Sequence, residues 1–130
     1  MKDKRVQKQT IWNKNRMLER MLNNPSTIKT ILDFFLQDVP IQIETLSISI
    51  ENSDWDQIKF LSHSIKGSAL NVSGEALWLT ASSIEQQAFE RNIDEINSLY
   101  PQLVENYTDL EKQLTDYLEM LNCTEDNTDL

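Results

Sequence analysis

Glycine and proline are nearly absent, two and three residues in a chain of 130. Tight hairpins and phosphate-cradling loops depend on such turn residues. Their scarcity argues against a β-rich fold and against a nucleotide loop. Cysteine occurs once, at Cys123, so no internal disulfide can form and a reducing compartment is expected. No apolar run approaches the roughly 20 residues that span a bilayer. Basic residues are outnumbered, 12 against 21 acidic, for a formal net charge of −9. Nucleic acids and anionic membrane surfaces both draw on cationic patches, so neither is an expected partner. The basic start, Lys2, Lys4, Arg5 and Lys8, lacks the apolar stretch of a signal peptide. Residues 1–9 are expected to be a flexible lead or linker.

What is present is a helical pattern. Hydrophobic residues make up 39% of the chain, enough for one core at this length, and Leu, Ile, Gln and Glu are common. Ile11, Met17, Leu18, Met21 and Leu22 suit a short first helix. Asn24 is expected to cap the second, with Pro25 at its first position, where a missing N–H costs nothing. Ile28, Ile31, Phe35, Val39, Ile43, Leu46 and Ile50 recur at steps of three or four, and the phase holds through Pro40, predicting a kink rather than a break. Asp54 and Gln57 resemble a capping box opening a third helix that reaches about Asn71. Ser73 is expected to cap a fourth, Gly74–Arg91, with Leu77, Ala81, Ile84 and Ala88 inward. Asp94 is expected to cap a fifth, whose stripe is Ile96, Leu99, Leu103, Leu110, Leu114, Tyr117 and Leu121, with Pro101 a second candidate kink. Trp12, Trp55 and Trp78 read as packing or interface residues. The expected fold is all-α: an antiparallel, up-down four-helix bundle with a short additional N-terminal helix, over residues 10–122. Residues 123–130 are expected to be a disordered acidic tail.

The only histidine, His63, lies on the third helix. At about 100° per residue, Ile58, Leu61, Ile65, Ala69 and Val72 cluster opposite it, so they bury and His63 faces solvent. Asp56, Lys59, Phe60, Lys66, Gly67 and Leu70 share the histidine's side. Phe60 and Leu70 flanking an exposed imidazole suggest a small docking surface. Gly67 costs about 1 kcal/mol of helix stability relative to alanine, and its missing side chain would let another backbone approach the ring. Ser62 and Ser64 adjoin His63, but helix neighbours one residue apart do not face each other, so a Ser–His nucleophile is not expected. A single histidine and dispersed carboxylates give no metal site.

The stretch "HSIKGSALNVSG", residues 63–74, resembles the His-x-x-Lys-Gly motif of histidine-containing phosphotransfer (HPt) domains. "IWNKNRMLERM" resembles the lead-in helix of that family, and "LTASSIEQQA" the helix after the motif. The likeness covers residues 11–120. It implies that His63 is the phosphoacceptor, Lys66 the cation beside the phosphoryl group and Gly67 the gap admitting the partner. Many members have glycine where this chain has Ser73, with Gly74 following, so another loop geometry is expected there.

The resemblance further implies a phosphorelay module, not an enzyme alone. A response-regulator receiver domain would pass a phosphoryl group from its aspartate to His63, and another receiver aspartate would take it on. An ordinary imidazole titrates near 6.5, leaving a nucleophilic nitrogen at neutral pH. Phosphoryl transfer rests on positioning and cations. This chain is expected to need no cofactor of its own, with Mg²⁺ on the partner receiver. Docking would fall to Asp56, Lys59, Phe60 and Leu70, on a monomer without membrane contact. The setting would be cytoplasmic, standing alone or as the C-terminal part of a membrane-anchored hybrid sensor kinase. Two other readings compete: a receiver-binding module without turnover, and the substrate domain of a larger histidine kinase.

Overall fold

A computed structural model describes residues 10–128, with side chains as far as Cys123; the expected lead, 1–9, lies outside the described residues. Five α-helices follow in order: α1 (Lys14–Arg20), α2 (Pro25–Glu51), α3 (Trp55–Val72), α4 (Glu75–Phe89) and α5 (Ile93–Thr128). Among the described residues there is no strand. Caps place most of the starts. Asn24 Oδ1 accepts from the Thr27 N–H at 3.1 Å, and Asp54 Oδ1 from that of Gln57 at 3.3 Å. Pro25 opens α2 as expected, and α2 continues through Pro40. The fifth helix is capped by Asn92, not Asp94: Asn92 Oδ1 accepts from the Glu95 N–H at 3.2 Å, and Asp94 sits in the first turn. There its charge favours the helix dipole.

The stops correct a second expectation. Ser73 does not cap α4 from outside; it ends α3 in the left-handed region, at φ 62°. Its N–H donates to the Leu70 carbonyl, and the Gly74 N–H reaches back to Ala69 at 2.9 Å. This paired closure is the Schellman motif, which needs a left-handed residue. Gly74 becomes the N-cap position of α4, with no side-chain cap, and α4 stops at Phe89 short of Arg91. The same closure ends α1, α2 and α4, with Leu22, Ser53 and Arg91 at positive φ. Leu22, expected within the first helix, lies past its end and is exposed. At the other end α5 continues to Thr128, beyond the boundary expected at 122. Residues 121–128 contain neither glycine nor proline to interrupt the backbone bonds.

The inward stripes meet in one core. α3 packs between α2 and α4, and α5 closes the ring against α4 and α2. Ile58, Ile65, Ala69, Val72, Leu77, Ala81, Ile84, Ile96, Leu103, Leu110 and Leu114 are fully buried. Leu32, outside the expected stripe of α2, is fully buried as well. Each buried Leu or Ile contributes about 1.5–3 kcal/mol relative to exposure. Trp12, Trp55 and Trp78 pack partly buried against this core.

The chain before α1 straps it onto the α3–α4 junction. The Ala76 N–H donates to the Thr10 carbonyl and the Asn13 N–H to that of Ser73, each at 2.9 Å. Trp12 Nε1–H donates to the Val72 carbonyl at 2.9 Å, and its ring meets Tyr117 edge-on at 5.7 Å. α1 is thereby held beside the C-terminal half of the histidine helix. Among the described residues no helix is long and apolar enough to cross a membrane.

Candidate functional site

The α3 stripe Ile58, Leu61, Ile65, Ala69 and Val72 is buried in the bundle, which turns His63 outward. Its side chain is 67% exposed. The ring is not loose. Nδ1 lies 2.9 Å from Oε2 of Glu85, on the neighbouring α4. The other oxygen of Glu85 accepts from Lys66 Nζ at 2.8 Å. One carboxylate, 17% exposed, thus bridges both residues of the motif.

The protonation pattern follows. Burial works against the charge of Glu85, but the hydrogen bonds from Lys66 and His63 prevail and hold its carboxyl below the ordinary value of 4.5. An ionised carboxylate only accepts hydrogen bonds. The ring nitrogen facing it must carry the proton, so in the neutral imidazole the lone pair sits on Nε2, across the ring.

Lys66 is therefore engaged rather than a solvated charge. Its side chain is 24% exposed and paired one helical turn from the ring. Gly67, the next residue, leaves open space: a Cβ built there meets nothing within 4 Å. Ser62 is turned into the bundle, its Oγ–H donating to the Ile58 carbonyl at 2.7 Å. Ser64 Oγ accepts from Gln42 Nε2 on α2 at 2.8 Å. Neither serine is joined to the imidazole by these bonds.

The expected docking residues line the same side of α3. Phe60 is 65% exposed and Leu70 41%. Asp56 is open to solvent, 3.7 Å from Lys59 Nζ. That ammonium also lies 4.8 Å from the ring centroid of Phe89, an exposed aromatic at the end of α4. Glu85 and Phe89 are the site residues that sequence reasoning missed. Both come from α4, and along the sequence Glu85 is one of many dispersed carboxylates. A signal did exist: α3 and α4 are joined by a short turn, so residues equally distant from Gly74 meet. His63 with Glu85 and Lys59 with Phe89 are both such pairs.

Among the described residues, no three His, Cys, Asp or Glu side chains gather as metal ligands. Cys123 is exposed. Chemically, the site offers an oriented nucleophilic nitrogen, a neighbouring cation and an unobstructed approach. No curated protein and no solved structure matches the chain. A family model described as Hpt domain matches residues 30–122. Hpt domains are the phosphocarrier modules of phosphorelays, interact with response-regulator receiver domains and are generally not enzymes. That match runs from the first turns of α2 through the histidine helix and most of α5, and by it the chain belongs to the Hpt domain family.

Proposed function

We propose that His63 accepts a phosphoryl group from a receiver-domain aspartate and passes it to another receiver aspartate. The observation that carries this reading is the exposed imidazole held by Glu85 beside the open notch at Gly67. In the forward step the Nε2 lone pair attacks phosphorus in line. An Nε2–P bond forms as the acyl phosphate P–O bond breaks, and the electron pair stays on the departing carboxylate. No proton has to leave Nε2, because the ring's proton is on Nδ1, facing Glu85. As the nitrogen is phosphorylated the ring gains positive charge, and the Glu85 carboxylate is placed to offset it. Charge developing on the phosphoryl oxygens calls for cations. Lys66 would meet them from this chain, and Mg²⁺ from the receiver.

In this reading Glu85 is a positioning residue, and Asp56, Lys59, Phe60 and Leu70 form the docking face. The scaffold is an up-down antiparallel bundle, working in the cytoplasm alone or as the C-terminal part of a hybrid sensor kinase. The test is direct. A panel of phosphorylated receivers is mixed with the wild-type chain and with His63→Gln, and acid-labile phosphate is followed. Wild type should take label on His63 and the variant none. Equal labelling of the two would overturn the proposal.

A further inference from the structure

Leu70 belongs to two surfaces. It lies two helical turns from His63 on the same side of α3, about 10 Å along the axis. It also lines a cleft of about 150 Å³ where α1 crosses the α3–α4 junction. Arg16 and Arg20 enter that cleft from α1, and Glu75 and Trp78 from α4. Arg20 donates through Nη1 to the Leu70 carbonyl. A guanidinium carries five N–H donors in a rigid fork, so this bond fixes the head and leaves donors for a second partner. The acidic wall, Glu75, accepts from Asn13 Nδ2 at 3.1 Å. Two arginines thus line one cleft that shares Leu70 with the His63 side of α3, in a chain whose net charge is −9.

Size and charge identify the occupant. A stable protein–protein interface buries about 800 Å² per partner, a patch of roughly 16 Å radius. Centred on His63, such a footprint reaches Leu70 and the guanidinium bonded to its carbonyl. We propose that the Arg16–Arg20 cleft receives an acidic side chain of the receiver domain as it docks on His63. The arginine fork matches a carboxylate bidentately, which a lysine cannot do. Placed at the rim, the contact sets encounter rate and partner choice more than final affinity. This inference rests on the phosphotransfer reading and adds to it a determinant of which receiver is accepted.

The experiment measures second-order transfer from the fastest donor in a receiver panel, over a range of salt. The proteins compared are wild type, Arg16→Glu, Arg20→Glu and the neutral variants Arg16→Gln and Arg20→Gln, each first checked for an unchanged melting transition. Where a charge reversal fails to fold, its neutral counterpart carries the test. At low ionic strength the reversals should slow transfer roughly tenfold and the neutral variants less. All rates should converge with wild type near 1 M salt, where the Debye length is about 3 Å. Equal rates at low salt, or a deficit that salt does not alter, overturn the inference and leave the phosphotransfer reading standing. Wild-type protein that takes no label from any receiver overturns both.

Discussion

At Gly67 cohesion and access favour different residues. The position is inside α3, where glycine costs about 1 kcal/mol against alanine, and an added Cβ would meet nothing within 4 Å. Gly67→Ala should therefore raise the unfolding free energy by about 1 kcal/mol in denaturant titration while slowing transfer from a receiver. A variant that is more stable and transfers at the wild-type rate would remove the access role. Glu85 gives a pH signature. Its carboxyl is held below 4.5 by Lys66 and His63 in spite of burial. A pKa depressed by folding contributes stability that is present above the unfolded value and lost as pH falls through the folded one. Glu85→Gln should thus lose less stability than wild type on acidification from about pH 5 to about pH 3. Identical losses would mean that the bridge does not support the fold. The outward direction of His63 was legible from periodicity, because burial of Ile58, Leu61 and Ile65 settles it. The grip of Glu85 was not, since it depends on which residue of another helix comes alongside.

At the scale of the helices, scarcity of glycine has a structural price. Four helix ends close with Leu22, Ser53, Ser73 and Arg91 in the left-handed region, which costs an L-residue roughly 1–2 kcal/mol. Ser73 is the clearest case: it is buried, and its hydroxyl finds no hydrogen-bond partner. Ser73→Gly should stabilise the protein by about 1 kcal/mol, read as a shift in denaturation midpoint at constant slope. A destabilised variant would show that the hydroxyl has a use. The adjacent glycine behaves in the opposite way. A Cβ on Gly74 would lie 2.5 Å from a methyl of buried Leu110, so this glycine serves close packing of α4 on α5. Ser73 illustrates how sequence reading fails at a junction. Serine is a good N-cap, and nothing local reveals that the preceding helix needs a left-handed residue there. Asn24 and Asp54 were legible because a following periodic run marks the start they cap. Asp94 was displaced by Asn92 because both are competent caps within two residues.

At the scale of the whole molecule, four inward stripes predicted most of the core, since each helix buries one face against the others. Leu32 escaped because it falls beside the expected stripe of α2, and broad stripes are normal in a bundle. Register between helices set the rest. Once Gly74 is known as the pivot of α3 and α4, Glu85 and Phe89 fall into place opposite His63 and Lys59. The open ground beside the imidazole has one further consequence. A library sorted only for heat resistance or yield would fill the notch at Gly67, since nothing in the interior resists it. Under the proposed phosphotransfer the survivors would be sturdier but slower to take up their signal, and no melting curve would register the change.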